Sequence, residues 1–203
     1  MAETSAIFLQ DGAGGNPVAA ELIDEIADAH LLDWKAKWRP ALVDLLKEMN
    51  RLGIPRSSWP QSWHWEWDAK AAEIPQLLAF RGFAVTCGGE TQGLMRVDLT
   101  KSGRAAAHAG KPLVYIDYLE TAPWNWAELS RTPRYKGVGM ALLAAAMALS
   151  VEEGFGGRVG LHSLPQSEDF YRRRRMLDMG PDPAVQNLRY FEMPADEAAA
   201  FLK

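Results

Sequence analysis

The sequence predicts one mixed α/β domain, and three observations predict it. The run Leu113-Val114-Tyr115-Ile116-Asp117-Tyr118-Leu119 is dense in β-branched and aromatic residues and reads as a strand. A stretch rich in Ala, Leu and Met follows over 137–153, reads as a helix, and is closed by Gly154. Strand and helix signals then alternate to the end of the chain, the pattern of a sheet covered by helices. At 203 residues the chain is long enough for one buried core and too short to require two.

Taken in order, residues 1–16 end in Asp11-Gly12-Ala13-Gly14-Gly15-Asn16 and are expected to be a flexible lead-in to a single domain over 17–203. Pro17 opens an amphipathic stretch with Leu22, Ile23, Ile26, Ala29 and Leu31 near helical spacing, which Pro40 interrupts. A second helix is expected over 41–52, ended by Gly53 and Pro55. An ordered loop over 56–67 and a short helix over 69–78 follow, so that 17–75 reads as a helical portion. Phe80–Gly88 and Thr91–Leu99 read as a hairpin turning at Gly88-Gly89-Glu90, with a polar loop over 101–112 behind it. Arg158–Leu164 reads as a strand, and Pro165 opens a short helix, Gln166–Arg174. A strand at Arg189–Met193 and a helix at Ala195–Leu202 complete the series.

Composition narrows the function. A net charge of −4 and a pI near 5.6 speak against a general nucleic-acid binder, which needs cations to neutralise phosphates. Cys87 is the one cysteine, so no intramolecular disulfide is available. The first residues lack the pattern of a secretory signal, and the most apolar run, Val138–Val151, is too short to span a bilayer. A cytoplasmic protein without nucleic-acid or membrane partners is expected. Of eight tryptophans, five fall between Trp38 and Trp67, which reads either as a cleft wall or as core packing.

The sharpest local pattern is Arg134-Tyr135-Lys136-Gly137-Val138-Gly139-Met140, between the strong strand and the strong helix. A helix N-terminus leaves backbone N–H groups without intrahelical partners, and the macrodipole adds about half a positive charge there. Glycines let a phosphate approach that backbone, and Arg131, Arg134 and Lys136 bring cations near it. The plain alternative is a tight turn whose glycines only ease packing. A P-loop needs Ser or Thr where Met140 stands, and a dinucleotide fingerprint needs Gly or Ala where Leu142 stands.

Here the chain resembles the GNAT superfamily of acyl-CoA N-acyltransferases. Arg134, Gly137 and Gly139 match its Arg/Gln-x-x-Gly-x-Gly/Ala signature. Leu119-Glu120-Thr121-Ala122-Pro123 is similar to the Leu-x-Val-x-Pro that precedes it, with Thr121 for Val, and Phe170-Tyr171 stands where the family carries Phe-Tyr. The resemblance covers roughly 75–193. It departs in a long spacer holding Trp124, Asn125 and Trp126, in Leu164 where an Asn is common, and in Arg175-Met176 for Gly-Phe. The resemblance implies a mixed, mostly antiparallel sheet flanked by helices and splayed between the family's fourth and fifth strands, here 113–119 and 158–164. It implies a core over 76–193 and places the acceptor against 17–75.

The same resemblance implies acetyl-CoA, or another acyl-CoA, as co-substrate and a small-molecule or peptide amine as acceptor, in a monomer or homodimer. The pyrophosphate would lie on Arg134, Tyr135, Lys136, Gly137, Val138, Gly139 and Met140. The pantetheine arm would bond backbone groups at Leu119 and Thr121, freed by a bulge. Tyr171 would be the general acid. For the base, Glu120 and Asp117 are the carboxylates on the strand, His162 is a third candidate, and an amine arriving unprotonated needs none. The run Arg172–Arg175 is either a solvated helix end or a contact to the cofactor's 3′-phosphate or an acidic substrate. No Cys/His cluster points to a metal. A module of the same fold that binds acyl-CoA without turnover is the competing expectation.

Overall fold

The computed structural model describes residues 2–126 and 132–202. In chain order the elements are β1 (Thr4–Asp11), β2 (Pro17–Ile23), α1 (Asp28–Asp33), a π-helical turn (Trp34–Trp38), α2 (Arg39–Arg51), α3 (Trp67–Ala72), β3 (Phe80–Cys87), β4 (Glu90–Asp98) and β5 (Val114–Thr121). After these come β6 (Tyr135–Lys136), α4 (Val138–Glu152), β7 (Val159–Ser163), α5 (Glu168–Arg172), β8 (Leu177–Asp182), β9 (Leu188–Met193) and α6 (Ala195–Phe201). The strands hydrogen-bond in the order β6-β1-β2-β3-β4-β5-β7-β9-β8. The pairs β1–β2, β1–β6, β2–β3, β7–β9 and β8–β9 are antiparallel, and β5–β7 is parallel. The expected mixed, mostly antiparallel sheet with flanking helices is therefore present. Among the described residues no helix is long and apolar enough to cross a membrane.

The chain packs as two compact units. The first comprises Met1–Gln76, Gly82–Met95 and Leu119–Leu142. Its buried side chains include Leu9, Trp34, Trp38, Leu42, Trp67, Val85, Leu94, Val138 and Leu142. The second comprises Leu77–Arg81, Arg96–Tyr118 and Leu143–Lys203, around Leu113, Val114, Ile116, Leu143, Met147, Leu161, Phe191 and Met193. Helix α4 is apolar on nearly every face, as a helix enclosed by protein must be.

The expectation of a flexible lead-in over 1–16 is corrected. Thr4–Asp11 is a strand paired along its length with Pro17–Ile23, and Asp11–Asn16 is the turn between them. Asp11 makes that turn by accepting the N–H groups of Ala13 and Gly14 on its carboxylate. The helix expected from Pro17 is corrected with it: β2 carries Leu22 and Ile23, and helix begins only at Asp28. Nor does Pro40 interrupt the helix. A proline ring crowds the carbonyl four residues back and offers no N–H. The chain answers by widening to a π turn just ahead of it, where Arg39 donates to the carbonyl of Trp34.

Candidate active site

The loop before α4 is held from three sides within the first unit. Tyr135 and Lys136 pair with Asp11 and Gln10 as β6, and Gly12 donates its N–H to the Arg134 carbonyl at 3.0 Å. A Cβ on Gly12 would stand 1.4 Å from the Pro133 carbonyl oxygen, so only glycine fits. Asn125 accepts the Tyr135 N–H at 2.9 Å, and both Asn125 and the Trp124 indole donate to the Gln92 side-chain oxygen. The unusual spacer thus buttresses the loop. Arg131 lies outside the described residues.

The loop delivers the chain to α4 through Gly137 at φ 98°, a conformation that a side chain strains. The N–H groups of Arg134 and Tyr135 point inward, to the Trp124 carbonyl and to Asn125. The Ala141 N–H bonds the Gly137 carbonyl at 2.9 Å, so the first turn of α4 opens at Gly137. The Arg134 guanidinium lies over the Trp124 ring and pairs with Glu90 at 2.6 Å, while Lys37 reaches the same carboxylate at 3.2 Å.

Strand β5 has a neighbour on each side, β4 and β7. Val114 donates to the Arg158 carbonyl, toward β7, and Val114–Ile116 pair with Val159–Leu161. Ala122 donates instead to the Gln92 carbonyl, toward β4. The Thr121 carbonyl accepts the Trp126 indole N–H at 2.9 Å.

The two strand carboxylates sit in different surroundings. Asp117 pairs with Arg96 at 2.6 Å, whose guanidinium also lies on the rings of Phe80 and Tyr118. Glu120 is buried, with the Trp67 indole donating to it at 2.6 Å and Ser62 bonding the same carboxylate. Burial outweighs those bonds and the nearby cations Lys70 and Arg39, and pushes its pKa up to about 7. Neither Trp67 nor Ser62 was a sequence candidate; their 53- and 58-residue separations from Glu120 leave no local pattern to find.

Tyr171 is buried against the rings of Phe170 and Phe191, and burial raises its phenol well above the ordinary value. Arg172 is engaged by Glu168, Asp169 and Asp178, and Arg175 approaches Glu197 at 3.6 Å. His162 is no isolated base. Its Nδ1 meets the Tyr115 hydroxyl at 2.6 Å and its Nε2 meets Asp182 at 3.0 Å.

This mixed sheet with its flanking helices is shared with solved structures described as acetyltransferases. Three solved structures carry the comparison. A protein from Desulfovibrio desulfuricans assigned to the GNAT family superposes with a TM-score of 0.53 at 12% identity, covering 87% of this chain and 99% of that one. Mycobacterium smegmatis RimJ, solved with CoA-disulfide, gives 0.50 at 15% identity over 98% and 93%. The PaiA N-acetyltransferase of Thermoplasma acidophilum, solved with coenzyme A, gives 0.50 at 13% identity over 85% and 97%. No protein-family model and no curated protein matches the sequence.

Proposed function

We propose that this chain is an acyl-CoA-dependent N-acyltransferase, moving an acetyl or other short acyl group to an amine by direct attack in a ternary complex. The observation that carries the reading is the loop into α4, paired to β1, braced by Asn125 and entering the helix through Gly137 at positive φ. Backbone groups at a strand end suit an extended amide-bearing arm, and a helix mouth suits a pyrophosphate. In this proposal the phosphates lie on the α4 first turn, Gly137–Met140, with Lys136 near. The arm lies along Leu119 and Thr121, whose carbonyl exchanges the Trp126 indole for it.

The amine lone pair attacks the thioester carbon, and the carbon–sulfur bond breaks as the tetrahedral species collapses. Glu120 takes the proton that the nitrogen sheds, directly or through water, since its pKa lies near neutrality. Tyr171 gives its proton to the departing sulfur; a phenol held above its usual pKa keeps that proton at neutral pH. The enclosure of both groups favours one alternative, a module that binds acyl-CoA without turnover.

Tyr171→Phe separates the two. An enzyme shows thiol release from acetyl-CoA with an amine panel, and the variant loses about 100-fold or more in kcat with unchanged CoA affinity. Absence of thiol release with every amine, alongside a thermal shift with CoA, selects the binding module. A shift with ATP and none with CoA overturns both.

A further inference from the structure

A second site lies within the second unit. Lys101, Ser102, Arg104, Tyr115, Asp117, Val185 and Tyr190 line a half-open cavity of about 350 Å³. Ligand pockets run from roughly 300 to 1,000 Å³, so this one suits a small molecule.

The hydrogen positions on its two tyrosines follow from what stands behind them. Asp182 is ionised: its hydrogen bonds from Arg104, His162 and the Ala184 N–H hold its pKa down to about 2. It therefore accepts, and the His162 Nε2 must donate. Burial lowers the His162 pKa, so the ring is neutral and its Nδ1 is an acceptor. The Tyr115 hydroxyl consequently spends its one hydrogen on Nδ1, at 2.6 Å.

Tyr190 is arranged likewise. Glu192 is fully buried, and it accepts the backbone N–H groups of Arg104 and Ala105, the His108 Nδ1 and the Tyr190 hydroxyl at 3.1 Å. Both phenols thus turn their hydrogens inward. At any further contact the two phenol oxygens can only accept, and both residues line the cavity with Asp117, of whose carboxylate Arg96 engages Oδ2. A cavity lined by three residues with acceptor oxygens suits a donor-rich cation. Lys101, Ser102 and Arg104 also line it and carry donors and positive charge. The Arg104 guanidinium lies over the Tyr190 ring and pairs with Asp182; Lys101 pairs with Asp98 and is half exposed.

We propose that this cavity binds a free amino acid or closely similar small zwitterionic amine, its ammonium on Tyr115, Tyr190 and Asp117 and its carboxylate on Lys101, Ser102 and Arg104. His162, Asp182 and Glu192 act as positioning residues that orient the two phenols. The role of this ligand as acyl acceptor rests on the transferase reading; its binding does not.

Isothermal titration calorimetry of the full chain without acyl-CoA tests the site. The probes are the twenty amino acids and, for each one that binds, its decarboxylated amine and its deaminated acid. Saturable binding of an amino acid is expected, at least about tenfold weaker for either truncated probe, since each loses a set of charge-assisted bonds. Asp117→Asn and Tyr115→Phe are each expected to weaken binding about tenfold. Lys101→Met, at the exposed rim, keeps the fold and weakens only the probes that bear a carboxylate. Binding by no amino acid overturns the site, as does equal binding by the bare amine or an unaltered affinity in Lys101→Met. Thiol release speaks separately: a chain that binds an amino acid but cleaves no acetyl-CoA keeps this site and loses the transferase reading.

Discussion

Glu120 shows how much the surroundings of one residue decide. A carboxyl in water titrates near 4.3, and this one is moved to about 7 because burial disfavours its charge more than Trp67 and Ser62 favour it. Glu120→Gln keeps the shape and a hydrogen-bonding oxygen while removing the titration. If Glu120 is the proton acceptor, the variant loses about 100-fold in kcat, and the acidic limb of the pH–rate profile near 7 disappears. A profile that keeps that limb assigns it to another group. Arg134, Gly137 and Gly139 were legible because adjacent residues form the loop. The partners of Glu120, and the Tyr115–His162–Asp182 chain, come from separate elements and leave no spacing to read.

At the scale of elements, the strands that the sequence predicts are those with dense β-branched or aromatic content: β3, β4, β5, β7 and β9. The ones it misses have identifiable reasons. In β1 only Leu9 is buried and Phe8 is largely exposed, so the alternation that marks a half-buried strand is weak. The apolar residues of β2 fall at spacings that also fit a helix, and Pro17 imitates a helix start. Strand β8 contains Gly180 and Pro181, where its register with β9 shifts. The β1–β6 contact supplies a test. Gly12→Ala forces a methyl against the Pro133 carbonyl, and the loop must move. A loss of roughly 1–3 kcal/mol is expected, together with weaker CoA binding, read by thermal melting and calorimetry. Unchanged CoA affinity in a destabilised variant would separate this contact from the cofactor loop.

For the whole molecule, the same carboxyl enters the balance between folded and unfolded chain. The folded state holds the Glu120 proton to higher pH than the unfolded state does. Its contribution is therefore fully present below about pH 4.5 and is lost as pH rises toward about 7. Other groups titrate over the same range, so the comparison with Glu120→Gln isolates it. The wild-type stability, measured by denaturant melts, is expected to fall relative to the variant across that window and to run parallel to it above. Parallel curves throughout would mean that the carboxyl is no better protonated in the native chain than in the unfolded one.

The bond from Trp67 to Glu120 has an optical consequence. That indole is wholly shielded from solvent, and its ring nitrogen touches a group whose charge changes near neutrality. An electric field switched on beside an indole alters the colour of its fluorescence. The emission change between pH 6 and pH 8 should therefore shrink by the same amount when either Trp67→Phe or Glu120→Gln is introduced, giving a native reporter of this proton without any attached dye.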